Sequence, residues 1–127
     1  MSTPEIIESL EPGQVFVFGS NAQGLHAGGA ARVAHEKFGA IWGEGEGLHG
    51  DSYALPTMEG PDAFRRAVAR FLRYAATRPD LTFLVTPVGC GIAGYSPNHV
   101  APWFRGAPSN VTLPAVFETA LKEGAHE

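Results

Sequence analysis

A single-domain, three-layer α/β/α fold with a mostly parallel sheet is predicted by three features of the chain. Apolar, β-branched runs alternate with helical patterns four times over, and such alternation implies parallel strands joined by helical crossovers. Glycine-rich segments follow the first and third runs, where the ligand loops of open parallel sheets lie. With 127 residues, 44% of them hydrophobic, the chain can bury one core without disulfides. No linker, repeat or low-complexity tract divides it, so one domain is expected over residues 1–127.

The elements follow in order. "QVFVFG" (14–19) has the continuous apolar character of a strand buried on both faces. From Gly28 to Phe38, small residues mix with Val33 and Phe38 at helical spacing, and Gly39 supplies a stop. "IWGEGEGLHG" (41–50) reads as a loop by its glycines. "SYALP" (52–56) is a second strand limited by Pro56. The stretch 60–79 is the clearest helix: Pro61 suits a first turn, and Phe64, Val68, Phe71, Leu72 and Ala75 form one apolar face. Arg65, Arg66, Arg70 and Arg73 fill the solvated side. "LTFLVTPV" (81–88) is the third strand and "SPNHVAPWF" (96–104) a short helix broken at Pro102. "SNVTLP" (109–114) is a brief fourth strand, and "AVFETALKEG" (115–124) a final helix. Trp42, Tyr53, Trp103 and Phe104 are expected in the core, with Trp103 or Phe104 a candidate stacking surface for a base.

Composition narrows the function classes. A net charge of −4 and nine thinly spread Lys and Arg residues argue against an extensive nucleic-acid surface. A small polyanion is still admissible, because backbone amides bind phosphate without side-chain charge. Cys90 is the only cysteine, which excludes an intramolecular disulfide and fits a reducing compartment. No apolar run is long enough to span a bilayer, and the acidic start "MSTPEIIESLEPG" does not read as a signal peptide. A cytoplasmic protein with no membrane partner is expected. His26, His35, His49 and His99 show no metal-ligand spacing, so neither a metal nor a cofactor is expected.

The chemistry is expected in the two glycine loops, "GSNAQGLHAGG" (19–29) and "GCGIAGY" (89–95). Glycine admits close backbone approach or positive φ, and a following helix adds free amides and a favourable dipole. The loops therefore suit a phosphate, or else serve only as tight turns. Gly24 to Gly29 has P-loop spacing, but Ala30 and Ala31 stand where Lys and Ser/Thr are needed. "GCGIAG" fits a dinucleotide pattern without the acidic residue that should end the next strand.

These loops resemble those of macro domains. "GSNAQGLHAGGAARVAHEKFGA" is similar to their first ligand loop, and "TPVGCGIAGY" to their second, in the branch with a Gly-Cys-Gly pattern. More closely, the chain resembles a family of short bacterial and phage proteins carrying Phe-Gly-Ser-Asn, Ser-Tyr-Ala-x-Pro-Thr and Gly-Cys-Gly-Ile-Ala-Gly, over about residues 14–117. The resemblance implies a macro-domain-like fold that binds ADP-ribose or a related nucleotide, free or on an ADP-ribosylated macromolecule. It also implies an ADP-ribosyl hydrolase as one activity, with a non-catalytic reader or a phage-associated interaction protein as the alternatives. By position, Asn21 would meet the distal ribose, Ala27, Gly28, Gly29 and Ala30 one side of the diphosphate, and Gly89, Cys90, Gly91, Ile92, Ala93 and Gly94 the other. Tyr95 would cover the distal ribose, and Ser20 joins the set beside Asn21. The acid and lysine of catalytic members of that branch are replaced by Tyr95–Ser96 and Thr57–Met58, and the acid that contacts adenine is missing after the first strand.

Asn21 and His26 are the candidate catalytic residues. Asn21 fits a water-orienting ligand contact or an Asx turn; His26 fits phosphate binding, proton transfer or a surface position. Cys90 fits a nucleophile at a helix N-terminus or a small buried filler.

Overall fold

The computed structural model describes residues 2–124, so the expected limits of the domain, 1–127, extend beyond the described residues at both ends. Ten elements follow in chain order. They begin with β1 (Gln14–Ser20), α1 (Gly29–Lys37), β2 (Gly47–His49), β3 (Ser52–Pro56) and α2 (Pro61–Ala76). β4 (Thr82–Val85), α3 (Pro97–Val100), a 3-10 turn (Ala101–Phe104), β5 (Val111–Thr112) and α4 (Ala115–Gly124) complete the elements of the described residues. The strands form one sheet in the order β2-β3-β1-β4-β5. β1 pairs parallel with β3 and β4, and β4 pairs parallel with β5.

One expectation is corrected at the sheet edge. The segment 41–50, expected to be a loop, contains β2, which forms an antiparallel hairpin with β3 that pairs His49 with Ser52, at the edge of a sheet that is mostly parallel as expected. Its turn is Gly50–Asp51, with Gly50 at φ 58, and a two-residue Gly-Asp connection is a hairpin signal. The glycine content of 41–50 hid that short strand inside an apparent loop. His49 and Asp51 therefore sit at the start of β3, away from the carboxyl ends of the parallel strands.

Alternation along β1 divides the core in two. Val15 and Val17 join Tyr53, Leu55, Phe83 and Val85 on the face covered by α2, α4 and the 3-10 turn. Phe16 and Phe18 face the other way, where α1 packs through Ala34 with Phe38, Ala40 and Ala54. Small residues on both partners, Ala34 and Ala54, let α1 lie close to the sheet. On α2, Phe64, Val68, Phe71 and Ala75 are buried as the spacing predicts, while Leu72 is only partly buried. Removing one of the buried rings would cost about 3–5 kcal/mol.

Trp42 departs from its expected core position: it is 51% exposed and lies edge-on to His26 and His35. No helix among the described residues is long and apolar enough to cross a membrane.

Candidate functional site

β1, β3 and β4 are adjacent and parallel, so their carboxyl ends emerge side by side. A cavity of about 380 Å³ lies there. The loop after β1 contributes Ser20, Asn21, Ala27, Gly28, Gly29 and Ala30 to its wall, and the loop after β4 contributes Gly89, Gly91, Ile92 and Ala93. Cys90, Gly94 and Tyr95, expected in the same set, do not line it. The Tyr95 ring packs against Phe64, His99 and Trp103. Cys90 packs against the core, and burial pushes its thiol up, which makes it a poor thiolate. Phe104 is buried and Trp103 packs on Phe64, so neither ring reaches the cavity.

Thr57, Met58, Thr86 and Pro87 also line the cavity. They enter because the strand order sets the ends of β3 and β4 on either side of β1, an arrangement no local pattern encodes. Thr57 donates its hydroxyl to the Ser20 carbonyl at 3.3 Å, and Thr86 donates to the Val17 carbonyl at 2.8 Å. Both threonines thereby fasten the segments after β3 and β4 to β1.

The first loop is stabilised by its own side chain. The Asn21 amide nitrogen donates to the Leu25 carbonyl at 3.2 Å, and its oxygen accepts from the Leu25 amide at 3.0 Å. Both ends of the Asn21 amide are thus committed to the loop. His26 is not among the cavity residues; it is 1% exposed and packs edge-on to Phe18. Its Nε2–H donates to the carbonyls of Ile41 at 3.0 Å and Glu44 at 3.2 Å. Its burial depends on residues fifteen and more positions away folding over it, so a loop histidine read locally looks exposed.

Backbone provides the polar wall. α1 has Gly28 at its N-cap, no side-chain cap and no acidic residue in its first turn. The amides of Gly29, Ala30 and Ala31 have no intrahelical acceptor, and none donates to another group among the described residues. The same is true of the amides of Gly91, Ile92 and Ala93, because the second loop closes through Gly94 to Gly91 and Tyr95 to Gly89 instead. Among the described residues, no Asp, Glu, His, Lys or Arg lines the cavity. Leu25, Met58 and Ile92, 46%, 47% and 92% exposed, set apolar side chains around it.

The glycines divide by what holds them. Gly29 and Gly89 have φ of 58 and 77, which side chains rarely adopt, so the turns themselves require them. Gly28 lies at φ −153, and Gly91 also lacks a positive φ; neither would bring a β-carbon within 4 Å of any neighbour. Nothing in the fold demands glycine at these two positions. Both line the cavity.

No group of His, Cys, Asp and Glu among the described residues is arranged to hold a metal ion. Comparison with protein-family models, curated proteins and solved structures finds no match for the chain.

Proposed function

We propose that the chain is a macro-domain-like protein that binds ADP-ribose or a related nucleoside diphosphate between the loops after β1 and β4. The observation that carries this reading is the pair Gly28 and Gly91. Their missing side chains relieve no strain and no contact, and both leave room in the same cavity. Free amides border that room on each loop, at the first turn of α1 and at Gly91–Ala93. Helix N-termini and runs of unpaired amides attract anions, and a diphosphate carries two adjacent anionic groups for two such runs. The apolar side chains of Leu25, Met58 and Ile92 offer surfaces to a ribose or a base.

The described residues set no titratable side chain in the cavity wall to serve as a general base, which favours a reader over a hydrolase. Any hydrolysis of an ADP-ribosyl bond would need the substrate's own groups to activate water. Calorimetric titration with ADP-ribose, ADP, ATP, NAD and AMP tests the reading. The diphosphate ligands should bind at least about tenfold more tightly than AMP, some 1.4 kcal/mol. Arg65→Ala and Arg73→Ala, on the solvated side of α2, should not change that binding. Absence of binding to every diphosphate would overturn the reading.

A further inference from the structure

We propose that His26 is a positioning residue that couples the 41–45 segment to the ligand site, although that segment lines no part of the cavity. The proposal rests on the binding reading above for its effect on affinity, and on geometry alone for the coupling of the two segments.

Three contacts join the segments. The His26 Nε2–H reaches the carbonyls of Ile41 and Glu44 together. The Gly43 amide donates to the Gly24 carbonyl at 2.9 Å, while the Gly24 amide donates to the Asn21 carbonyl at 3.0 Å. The backbones also interlock: a β-carbon on Gly24 would run into Glu44, and one on Gly45 would lie 2.6 Å from the Ala22 carbonyl oxygen. The turn that Asn21 closes onto Leu25 is therefore backed by residues 43–45.

The ring's other nitrogen shows what His26 is kept for. Nδ1 is buried with no partner among the described residues. Phenylalanine would fill the same space without that unsatisfied atom, whose burial opposes folding. The Nε2–H donor is what a phenylalanine could not replace. It holds the 41–45 segment against the loop that ends at Gly28, and so fixes one wall of the cavity.

The test compares His26→Phe, which keeps the ring and removes the donor, with His26→Gln, whose amide nitrogen lies the same number of bonds from the backbone. Amide hydrogen exchange is read at Gly24 and Leu25, with Gly94 and Tyr95 in the second loop as internal controls, and ADP-ribose affinity is read by calorimetry. In His26→Phe the first pair should exchange about tenfold faster and ADP-ribose should bind about tenfold more weakly, the scale of one lost buried hydrogen bond. The controls should not change, and His26→Gln should restore both readouts. Gly43→Ala, strained at φ 91 and outside the cavity, should reproduce the effect from the other segment in a chain that keeps His26. Unchanged exchange at Gly24 and Leu25 in folded His26→Phe, or in Gly43→Ala should His26→Phe not fold, would overturn the proposal. If the parent protein binds no ADP-ribose, the functional reading fails, while the exchange result still decides the coupling.

Discussion

Phe64 occupies the place that a side chain on Gly89 would need. A β-carbon at position 89 would lie 2.6 Å from the ring's Cζ, and the ring is itself fixed edge-on against Tyr95 and Trp103. The loop after β4 thus rests directly on α2, and the second wall of the cavity is held by an aromatic cluster beneath it.

Gly89→Ala should therefore destabilise the protein. Overpacking against a buried ring adds to the strain of φ 77, for a total of about 2–4 kcal/mol. Urea denaturation measures it, and a change below about 0.5 kcal/mol would show that Phe64 can move aside.

Gly91→Val, two residues along the same loop, should behave in the opposite way. With ordinary backbone and no neighbour within 4 Å of its β-carbon, the substitution should alter stability by no more than about 0.5 kcal/mol. ADP-ribose affinity should fall at least about tenfold, because the branched side chain would stand in the cavity. A folded Gly91→Val protein of normal affinity would remove the second loop from the site.

Asn21→Ala separates a ribose contact from a loop brace. The resemblance to macro domains places Asn21 at the distal ribose, which predicts a loss for ADP-ribose and little for AMP. Its amide is committed at both ends to Leu25, so the structure predicts roughly equal losses for the two ligands. Stability should fall by about 1–2 kcal/mol as two hydrogen bonds are lost. A loss confined to ADP-ribose would restore the direct contact.

Tyr53 should make the fold sensitive to alkali. Burial, reinforced by the negative charge of Glu46, pushes its phenol up to about 12, against about 10 in an unfolded chain. Between those values the unfolded chain gives up a proton that the folded chain retains. The stabilisation is therefore complete below about pH 10 and is lost towards pH 12, amounting to about 1–2 kcal/mol after solvent screening. Denaturation midpoints between pH 9 and pH 12 should show the fall, and Tyr53→Phe should reduce it.

What could be read in the sequence was what short stretches encode by themselves. The continuous apolar run of β1 and the one-sided pattern of α2 place these elements within one to three residues. The two glycine loops locate the cavity because strand-to-helix connections mark the carboxyl edge of a parallel sheet. Relations between distant segments were not legible. β2 depends on pairing with β3, Thr57 and Thr86 on strand order, and the burial of His26 on the 41–44 carbonyls folding over it. The setting of Tyr95 is another such relation: its ring clusters with Phe64 of α2, His99 of α3 and Trp103 beyond it, and backs Gly89 from outside the cavity.

A cavity walled by main chain can be damaged by adding atoms far more easily than by taking them away. Truncating Ile92, Met58 or Leu25 to alanine would leave the amides of Gly29–Ala31 and Gly91–Ala93 in place, so those three truncations would spare the contacts to a diphosphate. The informative substitutions are enlargements at Gly28 and Gly91, positions that an alanine scan customarily skips. The same separation gives a lineage freedom to drift: the apolar rim can change its character while the amide wall behind it stays as it is.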